Sequence, residues 1–282
     1  MDESLDQIFE TVAATAGDVL SILGTRRSYE EGQNPSGEQQ LAADVYADEQ
    51  LEEKLLDIPA VGSYASEERD DIVEDSGEYH IACDPLDGSS NLKPNNGMGT
   101  IIAVYDEPAP APGEALLGAA YVLYGPTTTM ITAADGSVTE YLIEDGERSI
   151  LDEDVTVPDD PTVYGFGGRA PDWPDDFAAF VEEIESRRLK LRYGGAMVAD
   201  VNQVLTYGGI FGYPMLADRP EGKLRLQFEG HPIAAIVSMA GGASTDGTQS
   251  LLSKTPEHIH ERTPLFVGTE SLIGDLEAAL DE

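Results

Sequence analysis

Basic residues are scarce in this chain. Of 282 residues only 16 are Lys or Arg, against 54 Asp or Glu, which gives a formal net charge of −38. The five lysines (Lys54, Lys93, Lys190, Lys223 and Lys254) are scattered along the sequence. That excludes the basic patch on which nucleic-acid binding depends through counterion release. Cys83 is the single cysteine, so no intrachain disulfide can form and no oxidising compartment is implied. No basic stretch precedes an apolar one at the N-terminus, and no apolar run approaches the ~20 residues that span a bilayer. The expected protein is soluble and cytoplasmic, with no nucleic-acid or membrane partner.

What is present suffices to fold. Hydrophobic residues make up 41% of the chain and there is no polar low-complexity tract, so the charge does not signal disorder. At roughly 100–200 residues per domain, the length allows one large domain or two packed halves. Few lysines, evenly spread acids and 29 glycines describe an intracellular protein adapted to high salt. At 1 M salt the screening length falls to about 3 Å and relieves self-repulsion. The even spread weighs against an acidic scaffold or nucleic-acid mimic, in which acids gather in blocks.

Apolar spacing predicts a first helix from Leu5 to Leu23 and, after a polar loop from Ser28 to Gly37, a second from Glu38 to Leu56. Tyr79 to Cys83 reads as a strand running into the turn-rich Asp84-Pro85-Leu86-Asp87-Gly88. Strands are expected at Thr100–Tyr105, Leu117–Tyr124, Thr127–Ala133 and Val138–Ile143, with turns at Gly125-Pro126 and Asp135-Gly136, making a sheet of four or five strands. Val157-Pro158-Asp159-Asp160-Pro161 interrupts the pattern and divides the chain into residues 1–157 and 158–282. Helices and strands alternate in the second part: Pro174–Ser186, Ala196–Leu205, Pro232–Ala240 and Leu272–Leu280 as helices, with Leu189–Arg192, Gly209–Tyr213 and Pro264–Gly268 extended. The fold class is α/β.

Three acidic groups sit against apolar or turn-forming neighbours. They are Ser66-Glu67-Glu68, the run Asp84-Pro85-Leu86-Asp87-Gly88-Ser89-Ser90-Asn91, and Glu229 between Leu224-Arg225-Leu226-Gln227-Phe228 and Gly230-His231-Pro232. Carboxylates, a backbone carbonyl and water are the ligands a hard cation such as Mg²⁺ takes. An Asp-x-x-Asp turn can aim two carboxylates and the Leu86 carbonyl at one ion, with Pro85 stiffening the loop. The N–H groups and hydroxyls of Gly88-Ser89-Ser90 make an anion cradle beside it. Metal-binding acids next to such a cradle imply a phosphoryl group. A lone Asp-Gly would be an ordinary surface turn, but eight such residues following an apolar strand are not.

The Asp84-to-Asn91 run resembles the signature of the lithium-sensitive sugar and inositol phosphatase superfamily, and Ser66-Glu67-Glu68 is similar to its upstream Glu motif. The Trp-Asp-x-Ala-Ala-Gly run of inositol monophosphatases is absent. Arg192-Tyr193-Gly194-Gly195-Ala196-Met197-Val198-Ala199-Asp200-Val201, then Tyr207-Gly208-Gly209-Ile210-Phe211 with Tyr213-Pro214, then Gly222-Lys223-Leu224-Arg225-Leu226 leading to Glu229, resemble class I fructose-1,6-bisphosphatase, in order, from Gly37 onward.

That resemblance implies a layered α-β-α-β-α fold with two sheets. The N-terminal half would carry the metal site and the C-terminal half the sugar-phosphate pocket. It further implies Mg²⁺-dependent hydrolysis of fructose 1,6-bisphosphate to fructose 6-phosphate, a step of gluconeogenesis. Glu67, Asp84, the Leu86 carbonyl, Asp87 and Glu229 would ligate two or more Mg²⁺ ions, with Mn²⁺ as an alternative. Glu68 matches the second metal-site acid, and Asp44 the acid that works with Glu67 on the attacking water. Asp87, Gly88, Ser89 and Ser90 would hold the 1-phosphate. Tyr193, Tyr213 and Lys223 would meet the 6-phosphate, with Arg192 reaching in from a neighbouring subunit of a dimer or tetramer.

Two departures stand out. Where the family has Asn-x-x-Tyr at the 6-phosphate, the chain offers Phe166 and Arg169, and Arg169 is expected to supply a charge-assisted contact. Where animal members have a Lys-Tyr pair for AMP, the chain has Glu78-Tyr79, so inhibition of that type is expected to be absent. The alternatives are a broader sugar or inositol phosphatase, including sedoheptulose bisphosphatase activity, and a non-catalytic acidic binding protein. The intact set of acids weighs against the last.

Overall fold

The computed structural model describes residues 2–25, 29–33, 35 and 39–281. Helix α1 (Glu3–Leu23) starts where Asp2 Oδ1 accepts from the Ser4 N–H at 2.9 Å, an N-cap that satisfies one of the helix's orphan donors. A short antiparallel ribbon, β1 (Tyr29–Gln33) with β2 (Gln39–Leu41), leads into α2 (Ala42–Leu56). Here the sequence reading is corrected twice: Tyr29–Gln33 is a strand inside the expected loop, and Gln39–Leu41 is a strand where the second helix was expected to have begun. Pairing between the two segments outweighs their polar composition. Gly37 and Glu38 lie outside the described residues.

A large sheet follows: β3 (Val61–Ser66), β4 (Val73–Glu74), β5 (Tyr79–Asp87), β6 (Met98–Tyr105), β7 (Leu116–Tyr124), β8 (Thr128–Ala134), β9 (Ser137–Glu144) and β10 (Glu147–Asp152). The spatial order is β10-β9-β8-β7-β6-β5-β3-β4, eight strands rather than four or five. Asp135 and Gly136 (φ 51° and 78°) make the expected two-residue hairpin, and Asp145 and Gly146 (φ 53° and 80°) make a second one. Left-handed conformations at both positions match the twist of the flanking strands.

The rest of the chain is β11 (Val163–Phe166), α3 (Asp175–Ser186), β12 (Lys190–Leu191), α4 (Met197–Tyr207), β13 (Gly209–Tyr213), β14 (Leu224–Arg225), a π-helical turn (Leu226–Gly230), α5 (His231–Met239), β15 (Ala243–Thr245), β16 (Arg262–Thr263), β17 (Leu265–Gly268) and α6 (Glu270–Leu280). The second sheet has the order β12-β11-β13-β17-β15, and β14 pairs with β16 as a separate ribbon.

Strand alternation builds the layers. Ile102, Val104, Ala120 and Val122 face one way and pack with Ile8, Phe9, Val12 and Leu51 of α1 and α2. Their neighbours Ile101, Ala119 and Tyr121 face the other way, onto Val198, Val201, Ile233 and Ile236 of α4 and α5, which also receive Phe211, Leu265 and Val267 from the second sheet. On that sheet's far face Tyr164, Phe166, Ile210 and Phe266 meet Phe177, Phe180 and Leu276 of α3 and α6. The order is therefore helices, sheet, helices, sheet, helices, as expected. Because both faces of each sheet are covered, β6 is buried at every position, which explains its continuous apolar run.

Self-repulsion of the surface acids sets a first expectation. Transfer from molar KCl to dilute buffer is expected to lower the melting temperature by roughly 10 °C or more, a shift worth about 3–5 kcal/mol for a chain of this size. Thermal melts across a salt series check it, and a salt-independent midpoint would refute it.

Candidate active site

Strands β3 and β5 run parallel, so their C-terminal ends open on the same side of the sheet. The Glu67 N–H donates to the Cys83 carbonyl at 2.9 Å, extending that ladder by one bond and placing Glu67 beside Asp84. Glu229 comes from the π-helical turn, where the Arg225 N–H donates to its Oε2 at 2.6 Å. Carboxylate oxygens of Glu67, Asp84 and Glu229 lie within 4.8 Å of one another, and all three residues are buried. Asp44, in the first turn of α2, accepts from the Leu41 N–H at 2.8 Å. Glu68 is held by Gln40, whose Nε2 donates to its Oε2 at 2.6 Å and to its carbonyl at 3.1 Å.

These acids line a cavity of about 130 Å³. With them stand Leu86, Asp87, Gly88, Ser89, Ser90, Tyr193, Tyr213 and Lys223; of the residues singled out from the sequence for the site, Arg192, Phe166 and Arg169 do not reach the cavity. Arg192 is exposed next to edge strand β12, its guanidinium donating to the Leu191 carbonyl at 3.1 Å.

Asp87 serves two elements. Its Oδ2 accepts from the Val198 N–H at 2.8 Å, capping α4, and it also lines the cavity. Asn91 Nδ2 donates to the Gly194 carbonyl at 2.8 Å, and Asp200 accepts from the Gly194 and Gly195 N–H groups at 2.7 and 3.3 Å. The loop that carries Tyr193 is thus tied to the loop that follows Asp87. Tyr193 and Tyr213 share the cavity, and Lys223 Nζ stands 5.1 Å from the centre of the Tyr213 ring.

Two sequence expectations for the distal end are corrected. Phe166 is buried in the aromatic cluster with Trp173, Phe177 and Phe180, because the parity of β11 sends it to the outer face of the sheet with Tyr164. Arg169 is exposed and does not line the cavity. Gly167 leaves room for Tyr213 instead: a Cβ there would lie 2.1 Å from its ring.

Three lining residues with polar side chains were not picked out from the sequence as site candidates: Gln40, Asp200 and Arg225. Arg225 is the most consequential. Its Nη1 is 2.9 Å from Glu67 Oε1 and 3.8 Å from Glu229 Oε2, with its side chain 4% exposed. An arginine flanked by leucines, four residues before an acid already singled out, was the available signal.

Burial and mutual repulsion raise the acids. Burial, then Glu67, Asp87 and Glu229, push Asp84 well above the usual carboxylate range. Burial and Glu67 push Glu229 up to about 8 despite Arg225, and burial with Glu67 and Asp44 pushes Glu68 up to about 8. Asp87 rises only to about 6, because the Val198 and Met197 N–H groups favour its charged form. Buried oxygens only, with no nitrogen or sulfur donor among Glu67, Asp84 and Glu229, suit a hard divalent cation, and a dication would relieve this repulsion.

An acid cage that fits such a cation, adjoining a Gly-Ser-Ser loop in one cavity, defines the class of metal-assisted phosphate-ester hydrolases. The models of the fructose-1-6-bisphosphatase N-terminal and C-terminal domains match residues 7–151 and 157–281, and the chain belongs to the fructose-1,6-bisphosphatase family. It is 65% identical over 283 residues to the class 1 fructose-1,6-bisphosphatase of Natronomonas pharaonis, covering 99% of this chain and 100% of that one. It is 55% identical over 280 residues to the corresponding class 1 protein of Haloarcula marismortui, covering 99% and 96%. These relatives are halophilic archaea. The crystal structure of holo fructose-1,6-bisphosphatase from Leishmania major superposes with a TM-score of 0.92 at 28% identity, covering 99% of this chain and 93% of that one.

Proposed function

We propose that the chain hydrolyses the 1-phosphate of fructose 1,6-bisphosphate, giving fructose 6-phosphate and inorganic phosphate, with Mg²⁺ held by Glu67, Asp84, Asp87, Glu229 and the Leu86 carbonyl, and with Glu68 at a second metal position. The observation that carries this reading is one cavity with the acid cage and Gly88-Ser89-Ser90 on one side and Tyr193, Tyr213 and Lys223 on the other. A bound divalent cation supplies Lewis-acid polarisation of the phosphoryl group and acidifies water.

The chain's own groups do the rest. Ser89 and Ser90 hydroxyls and the N–H groups of their turn hold the phosphoryl oxygens. Asp44, fixed by its bond to the Leu41 N–H, works with Glu67 to orient the attacking water and take its proton. Water oxygen bonds to phosphorus as the bond to the C1 oxygen breaks, and that oxygen leaves on fructose 6-phosphate and takes up a proton in place of the one removed from the water, so catalysis is mainly positioning and electrostatics. Arg225 holds Glu67 and Glu229 at fixed spacing. At the distal end the Tyr193 hydroxyl, kept protonated by burial and by Tyr213, donates to the 6-phosphate, and Lys223 supplies charge.

Arg192 fits a role across a subunit boundary: it is exposed beside Leu191 and Tyr193, which are 61% and 45% exposed. We therefore assign it to the neighbouring subunit's 6-phosphate, in a homo-oligomer located in the cytoplasm. No helix among the described residues is long and apolar enough to cross a membrane.

Phosphate release from fructose 1,6-bisphosphate against inositol monophosphate, with Mg²⁺ in molar KCl, tests the assignment. Preference for the inositol ester would sink it. Arg192→Ala is expected to raise KM for the bisphosphate about tenfold or more, the loss of one charge-assisted contact, with much less effect on a sugar monophosphate. Equal effects on both would remove Arg192 from the distal site.

A further inference from the structure

Arg69 is the single cation among the six acids Glu67, Glu68, Asp70, Asp71, Glu74 and Asp75, and it does not line the catalytic cavity. Its guanidinium turns away from Glu67 and Glu68 and onto α2. Nε lies 2.8 Å from Asp48 Oδ2, Nη2 donates to Asp48 Oδ1 at 3.3 Å, and Nη1 pairs with Glu52. The same group stands 5.7 Å from the centre of the Tyr64 ring, and the Tyr64 hydroxyl donates to Asp48 Oδ1 at 3.0 Å. Asp48 has a side chain only 6% exposed, so its charge has been taken out of water and needs this partner. The planar fork of Arg can engage Asp48 and Glu52 together, whereas a lysine offers one point charge.

The backbone of Arg69 is held from the opposite side. Its carbonyl lies 2.9 Å from His260 Nε2 and can only accept, so that nitrogen carries the proton. The His260 ring packs at a tilt of 41° against Phe228, the residue before Glu229, with ring centres 5.3 Å apart, and the neighbouring Glu261 carbonyl accepts from the Leu226 N–H at 2.8 Å. Three elements meet at this residue, and each carries a cage acid: α2 with Asp44, one helical turn before Asp48; the end of β3 with Glu67 and Glu68; and the π-helical turn with Glu229.

We propose that Arg69 is a positioning residue for the acid cage, fixing the spacing of Asp44, Glu67, Glu68 and Glu229 through Asp48 and Glu52 on one side and His260 on the other. This rests on the reading of the cage as a divalent-metal site in a phosphatase. Groups that orient metal ligands without touching the metal typically govern affinity by 10–100-fold.

The test is calorimetric titration of the full chain with Mn²⁺ alone, in molar KCl, alongside steady-state hydrolysis. Arg69→Met is expected to weaken Mn²⁺ binding roughly tenfold or more and to lower kcat by a similar factor, with KM for the bisphosphate within about twofold of wild type. Arg69→Lys should fall between the two, and Glu52→Gln, which keeps the Asp48 pair, should cost less than Arg69→Lys. A folded Arg69→Met with wild-type Mn²⁺ affinity and kcat overturns the proposal, as does a variant that loses only melting temperature. If Arg69→Met does not fold, wild-type Mn²⁺ affinity in Arg69→Lys overturns it instead. Wild-type protein that binds Mn²⁺ but releases no phosphate would sink the phosphatase reading, while the Mn²⁺ series would still decide the role of Arg69.

Discussion

Asp84→Asn is expected to lower kcat by about 10³-fold or more, a loss of about 4 kcal/mol of transition-state stabilisation, without unfolding the protein. The amide keeps the size of the side chain and its oxygen, so it can still accept from the Leu86 N–H, a bond of 3.0 Å in the parent. It cannot carry the charge that a hard cation selects. The stability argument runs the opposite way. Burial and four neighbouring carboxylates raise the Asp84 pKa in the folded state. An acid whose folded pKa exceeds its unfolded value costs stability once pH passes the unfolded value of about 3.9, and the cost grows until pH passes the raised folded value. Asn removes it. The metal-free variant should therefore melt at or above the parent at pH 7 in molar KCl, and added Mg²⁺ should raise its midpoint less. Near-normal turnover would remove Asp84 from the metal site.

Gly88→Ala is the second large effect. Gly88 sits at φ 73°, ψ 30°, a left-handed conformation that costs an L-residue roughly 1–2 kcal/mol. A Cβ there would lie 2.3 Å from the Ala196 Cβ and 2.9 Å from its Cα, and neither atom can swing aside as the end of a long side chain could. Relieving that overlap adds about 1–3 kcal/mol. The loop must lift away from the start of α4, taking Ser89 and Ser90 with it. The expected outcome is a fall in kcat/KM of about 100-fold, about 2.7 kcal/mol, and a lower melting temperature. A crystal structure or saturation kinetics showing unchanged phosphate binding would contradict this account.

Much of the site was legible because its chemistry is written locally. Asp84 to Ser90 form one uninterrupted run, and a strand that ends on them needs no tertiary information to be recognised. Asp44 was different: on a helix with Asp48 one turn on, it looks like a solvated face, and only the resemblance singled it out. In the structure both aspartates are buried, one facing the cage and the other Arg69. The distal pocket was misread at Phe166 and Arg169 because β11 was not recognised as a strand. Once it is, the shared parity of Tyr164 and Phe166 directs both rings into the outer aromatic cluster. Strand β10 escaped notice because an edge strand exposed on both faces has no apolar alternation, although Asp145-Gly146 gave the same turn signal as Asp135-Gly136. The local signal at Arg225, an arginine between leucines, could not give its role: burial of a cation follows from acids gathered from the end of β3 and the π-helical turn, which only the fold brings together.

The cap that Asp87 places on α4 has a consequence for how the cleft works. A hinge between the two sheets would have to strip the Val198 N–H of its acceptor and pull Asn91 from the Gly194 carbonyl. Opening would hand these groups to water, so the net cost is about 0.5–1.5 kcal/mol for the neutral bond and about 1.5–3 kcal/mol for the one to the carboxylate, added to that of parting the apolar contacts. Both bonds tie the loop after β5 to the start of α4, so the substrate cleft is braced at its floor by polar contacts as well as by the apolar layer beneath it.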